Sequence, residues 1–323
     1  MKLNLHIIFI IFSLATCSET FDIPSHQEHG QHDSTFMFPE QYSSQTNIPC
    51  RNQSELLQNG FNISYCIEDN TLFLYGSGDI PRFNVAPFSD KNVSSVQILE
   101  NITTIGRGVF AKKNWARLDI SSPICRIETD AFKECTFDTI TITNNSDFIV
   151  EDGVLFSKNK DKLMKASRRI YDYAIPHTVT EIAEYAFWDS ELRTIELTDN
   201  LTIIGEEAFD GSNSLEAVRL RENSLFGQHR VELGSIGEQA FHHCTKLVEV
   251  TIPPRITQIQ DYAFWECYNL KRVIIRSENL SLIGYYAFAI CNILAEIKYF
   301  GTQLPKCRSD FTQSGLIVYG PGD

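Results

Sequence analysis

The chain has 323 residues, 43% of them hydrophobic, and a formal charge of −13 at pH 7. That composition can fill a real core. Without a run of Lys and Arg to neutralise phosphates, it argues against nucleic acid and against electrostatic docking on an anionic membrane.

The chain opens on MKLNLHIIFIIFSLATCSET. One Lys, an apolar stretch and then small residues resemble a secretory signal peptide spanning residues 1–17. The stretch is shorter than the roughly 20 apolar residues a spanning helix needs, so the mature chain is expected to carry no transmembrane anchor. LATC also resembles a bacterial lipoprotein cleavage box, to which Thr16 before Cys17 fits poorly. Residues 18–47 are polar and aperiodic and read as a mobile tail. His26, His29 and His32 recur there at spacing three, but a tail does not preorganise ligands, so no metal and no cofactor is expected.

Secretion gives meaning to two further features. Glycosylation sequons stand at Asn52, Asn62, Asn92, Asn101, Asn144, Asn200 and Asn279. Eight cysteines remain once Cys17 is removed. Of these, Cys50 and Cys66 flank a small N-terminal β module over 48–91, and a disulfide between them would staple an end that lacks a neighbour; sequence alone does not fix the pairing. YGSGD at 75–79 is no dinucleotide loop, because Pro81 stands where a third Gly is needed.

From residue 92 onward the chain repeats itself. A core Phe recurs at 110, 132, 187, 209, 241, 264 and 288, each behind an L-x-x-I-x-I pattern, as in LVEVTIPPRITQIQDYAFWEC (247–267). Alternation places Val250 and Ile252 on one side of a short strand, which becomes stable only by stacking on the next coil. Ile256, Ile259, Ala263 and Phe264 return on the far side to fill the same core. Strands are expected at Val96, Leu118, Ile140, Ile195, Val218, Val250, Val273 and Ile297. The 55-residue gap after Phe132 holds a hairpin in DGVLFSKNKDKLMKA, with its turn near Lys158 to Asp161. The 32-residue gap holds an insertion near 222–235, either a plain surface loop or part of a binding face.

The unit LxxVxIPxxIxxIxxxAFxxC resembles the BspA-like leucine-rich-repeat proteins, surface antigens of mucosal bacteria and protists. The stretches at 72–110 and 152–187, and YFGTQLPKC at 299–307, resemble further pieces of that family. The resemblance implies a β-rich leucine-rich-repeat solenoid of period about 23 over 92–300, closed by a C-terminal cap over 301–323. It also implies a secreted or cell-surface location.

No catalytic motif appears: there is no G-x-S-x-G, H-E-x-x-H or P-loop. FHHC (241–244) suggests a metal or Cys/His site, but Cys135, Cys244, Cys267 and Cys291 all occupy the A-F-x-x-C slot and read as buried structural thiols. A protein-interaction or adhesion module, not an enzyme, is therefore expected. The alternatives are a self-assembling coat protein and a hydrolase with its site in the N-terminal module. The expected partner is an extracellular or host-surface protein or glycan. Its candidate binding face is the outward row of strand residues Thr194, Glu196, Ala217, Arg219, Glu249, Thr251, Arg272 and Ile274, on a concave sheet continuous along the repeats. The bland reading is that these are solvated strand residues.

Overall fold

A computed structural model of the chain describes residues 50, 55–58, 60–143, 145–221, 234–308 and 317–319. The signal-like segment, the histidine tail, Asn52, Asn144 and most of the 222–235 insertion lie outside them. Each L-x-x-I-x-I motif forms a strand where expected: Ser95–Ile98, Asn114–Ile120, Thr136–Ile142, Thr194–Leu197, Ala217–Leu220, Glu249–Ile252, Arg272–Ile275 and Glu296–Tyr299. The first three strands pair successively in parallel, and so do the last five, so a coil satisfies the backbone of the one before it. No α-helix occurs among the described residues.

The coil has a second sheet that alternation alone did not reveal. The I-x-x-I segments after each first strand form short parallel strands, among them Glu181–Ile182, Ile203–Ile204, Gly234–Ile236, Ile256–Ile259 and Leu282–Ile283. A solenoid core thus lies between two stacked ladders, with the A-F wall closing the coil.

That wall explains the absence of helix. In nearly every coil the residues two before and two after the core Phe have positive φ, as at Tyr185 and Asp189 around Phe187 and at Tyr262 and Glu266 around Phe264. Their amides point at the next coil: Tyr185, Phe187 and Asp189 donate to the carbonyls of Glu206, Ala208 and Asp210. Ile290 fills this slot at φ 57°, a left-handed conformation that a β-branched residue adopts at a cost. Ile290→Gly is expected to stabilise the protein by about 1 kcal/mol, read as a raised urea midpoint; a lowered midpoint would show that the lost apolar contact outweighs the relieved strain.

Stacking turns the repeated Phe into a spine. Phe187, Phe209, Phe241, Phe264 and Phe288 are buried, with adjacent ring centroids 4.7–5.0 Å apart and ring planes within 6° of parallel. The slot three residues later is a donor column. The thiols of Cys244, Cys267 and Cys291 donate to the carbonyls of Phe209, Phe241 and Phe264 in the preceding coil, at 3.2–3.3 Å. Ser212 does the same for Phe187 at 2.7 Å. The sequence carried a sign of this role: Ser190 and Ser212 replace Cys in the same slot.

The solenoid is not one uninterrupted stack. Strands Phe148–Glu151, Val154–Ser157 and Lys162–Ala166 form an antiparallel unit, with the hairpin turn at 158–161 as expected. Leu155 joins the core of the preceding coils, while Val154 and Phe156 join the core of the following ones. The hairpin is a partition with an apolar residue on either side, as strand alternation demands. The face sheet is correspondingly split. One sheet ends at Thr136–Ile142 and another begins at Asp172–Ala174, which corrects the expectation of a continuous face.

At the N-terminal end the small module is itself the first coil. Thr71–Asp79 pairs in parallel with Ser95–Ile98 at one end and with Asn101–Ile105 at the other. YGSGD is the bend that lets one strand serve both ladders. A Cβ on Gly76 would lie 2.0 Å from the Asn62 carbonyl oxygen, so only glycine passes there. Cys50 and Cys66 are joined in a disulfide beside this coil.

Candidate functional site

The candidate binding residues all lie on the second face sheet, in two rows set by strand register. Thr194, Ala217, Glu249, Arg272 and Glu296 are successive partners in the first row. In the second row Glu196 pairs with Arg219, and Thr251 with Ile274 and then Lys298. Outward alternation is what exposes them, and parallel stacking is what aligns them.

Their environments differ in ways a single-strand pattern cannot show. Ala217 and Thr251, expected to be outward and available, are each only 8% exposed. Both are short side chains in rows of long ones, and at strand spacing the neighbours cover them. Arg272 lies between two carboxylates of its own sheet, 2.6 Å from Glu249 and 3.0 Å from Glu296. Its charge is already matched within the chain. Glu196 faces Arg221 at 3.6 Å, and Thr194 donates to Asp172 at 2.6 Å. Arg219 is exposed and forms no ion pair among the described residues. Ile274 is half-buried two residues along the strand from Arg272, with Lys298 beside it. The residues left with unmatched chemistry are thus Arg219 and Ile274, a cation and an apolar surface on one sheet.

The sequon residues Asn62, Asn92, Asn101 and Asn279 are exposed. Asn200 is half-buried, its side-chain amide donates to the His177 carbonyl at 2.7 Å, and Thr202 of its sequon is 7% exposed.

The cysteines of the repeat are poor nucleophiles. Burial pushes the Cys135 thiol up to about 12 and raises Cys244 and Cys267 well above the ordinary range, so little thiolate forms at neutral pH. A cleft lies where the two solenoid segments meet behind the partition, lined by Glu128, Asp130, Lys162, Glu184 and Ile203. Burial raises the Glu184 carboxyl, and Asp130 beside it raises it further. On the same wall Glu207 is pushed up to about 7 by burial and then by Asp210. Sequence reasoning did not find this acidic strip, because its members come from different coils and share no motif.

Comparison with known proteins places the repeat. A family model described as the BspA type leucine rich repeat region matches residues 82–160, 160–229 and 228–310, in six copies. Among solved structures, the pneumococcal vaccine antigen PcpA is similar at 17% identity, covering 80% of this chain and 89% of that one, with a TM-score of 0.51. A leucine rich cell surface protein from Faecalibacterium prausnitzii covers 81% and 98% at 19% identity and a TM-score of 0.46. A leucine-rich repeat protein from Eubacterium ventriosum covers 81% and 95% at 16% identity and 0.40. No curated protein matches the chain at a significant level. The repeat match spans more than two-thirds of the sequence, and its core Phe residues are the ring spine of the fold: the chain belongs to the BspA-type leucine-rich-repeat family.

Proposed function

We propose that the protein is a secreted or cell-surface interaction module, not an enzyme, and that it binds an extracellular or host-surface protein through the second face sheet around Arg219 and Ile274. The observation that carries this reading is an exposed cation with no ion pair among the described residues and, two strands away on the same parallel sheet, an outward apolar side chain. Their neighbours Arg272 and Glu196 are satisfied within the chain. Arg and apolar side chains together are what interface hot spots are made of, and repeat solenoids present extended surfaces of this kind. Family membership supports an interaction role in general, PcpA is described as a vaccine antigen, and the signal-like N-terminus supports export.

The test is capture of surface proteins and glycans by the purified chain, followed by affinity measurement with Arg219→Glu and Ile274→Asp combined. Both side chains point away from the core, so the fold should hold. Affinity for the captured partner is expected to fall at least tenfold, about 1.4 kcal/mol or more. Unchanged affinity in the double variant, with loss on mutating 222–235 or 55–90, would move the site off the sheet. Concentration-dependent oligomers with no captured partner would support a self-assembling coat instead.

A further inference from the structure

Three consecutive coils converge on one point of the outer wall, and the scaffold does not account for what they place there. The residue after the core Phe is Asp210 in one coil and His242 in the next. His243 follows, and the coil after that supplies Trp265 and Glu266. Asp210 Oδ1 lies 2.9 Å from His242 Nδ1 and 3.8 Å from His243 Nδ1. One donor atom from each of the three residues falls within 4.8 Å of the other two. His243 Nε2 lies 2.6 Å from Glu266 Oε2, which also accepts the Tyr268 hydroxyl at 2.7 Å. Trp265 lies flat against His242, with ring centroids 4.9 Å apart and planes within 8°.

His242 is only 9% exposed, yet neither of its ring nitrogens completes a hydrogen bond among the described residues, and neither does Asp210 Oδ1. The short His242–Asp210 approach is close enough but out of line for one. Buried polar atoms are normally satisfied, so three unsatisfied ones at one point call for a missing partner. The contact with Glu266 says what kind. It fixes the His243 ring with Nε2 toward Glu266 and Nδ1 toward the Asp210 carboxylate. A cation placed among imidazole nitrogens and a carboxylate can be held by all of them at once.

We propose that Asp210, His242 and His243 bind a divalent transition-metal ion of the Zn2+ class. Two imidazoles and a carboxylate form a familiar donor set for such an ion. Tetrahedral ligands at the usual Zn–N distance stand about 3.3 Å apart, and the separations of 2.9 and 3.8 Å lie on either side of that value. Glu266 serves as the outer carboxylate that orients a metal-bound histidine. The His243 side chain is 43% exposed, so the ion enters from solvent and water completes its shell. The FHHC motif is thus divided: Cys244 points inward to the Phe209 carbonyl, while the two histidines point out. The site does not depend on the proposed binding face.

The experiment uses the full chain without an affinity tag, stripped with chelator, and carrying His26→Gln, His29→Gln and His32→Gln to silence the tail. Titration with Zn2+ should show one ion per chain at micromolar affinity or tighter, with a raised melting temperature. Co2+ should give the visible bands of a four-coordinate ion. Asp210→Asn and His242→Ala should each weaken Zn2+ binding at least tenfold, and Glu266→Gln by about tenfold through loss of orientation. If His242→Ala fails to fold, His243→Gln, at an exposed side chain, carries the test. No bound Zn2+ at micromolar concentration in the folded, tail-silenced chain would overturn the assignment. So would binding that Asp210→Asn and His243→Gln leave unchanged.

Discussion

Phe264→Ala is expected to destabilise the C-terminal coils by about 3–5 kcal/mol, the usual cost of deleting a core aromatic ring. Phe264 is fully buried between Phe241 at 4.9 Å and Phe288 at 5.0 Å, so truncation opens a void in the middle of the ring spine. The loss should not spread evenly. Repeats couple to their neighbours alone, and the partition assigns these coils to a different core from the first ones. Hydrogen exchange should therefore accelerate in Glu249–Ile252, Arg272–Ile275 and Glu296–Tyr299, while Ser95–Ile98 and Asn114–Ile120 keep their wild-type protection. Uniform acceleration would mean that the two segments fold as one unit. No acceleration would mean that the ring does not support the coil.

The second large effect concerns Lys165, a single ammonium inside the partition. It is 1% exposed and donates to the Tyr185 carbonyl at 2.6 Å. Burial lowers its pKa from 10.5 to about 8, against the opposing pull of Cys135 and Asp189. A base whose folded-state value is depressed binds fewer protons when folded than when unfolded. Its contribution to stability therefore rises with pH between about 8 and 10.5, and below that window the folded protein carries the full penalty. The gap between the two values corresponds to about 3 kcal/mol. Lys165→Met removes the charge and leaves the Tyr185 carbonyl with the Trp188 amide as its remaining donor at every pH. The variant's stability relative to wild type should thus be about 3 kcal/mol more favourable at about pH 7 than at about pH 10.5, measured by urea unfolding of both proteins. Groups remote from Lys165 titrate alike in the two proteins, so the comparison isolates Lys165 together with Cys135 and Asp189, which feel its charge. Parallel pH profiles would show that the ammonium is not desolvated.

Much of the scaffold was legible because a solenoid writes its core once per coil. Leu247, Val250, Ile252, Ile256, Ile259, Ala263 and Phe264 face inward for reasons contained within twenty residues: alternation along a strand, and a small residue beside a large one at the closing wall. The hairpin was legible too, since its turn residues lie between two apolar runs. The outer wall was less so. Its left-handed positions are filled by Tyr, Glu, Asp, Lys, Gln, His and Ile, and only Gly108 and Gly211 hint at the backbone required there. Donation from Cys244 to Phe209 was hidden because a thiol in a repeated slot reads as mere bulk until the coils are stacked.

The sequence by itself determined the period, the first strand of each coil, the buried Phe column and the family. Only the tertiary structure decided what the outward residues can do. Arg272 looks like a free anchor on its own strand, but Glu249 and Glu296 neutralise it from the strands on either side. Ala217 and Thr251 alternate outward and are nonetheless covered by longer neighbours. His242 meets Asp210 from 32 residues away, across an insertion whose length masks the register. The physical reason is common to all three. Inward positions are set by local alternation, which the chain repeats, whereas outward chemistry is set by contact between coils. That contact depends on which residues the stacking places a strand's width apart.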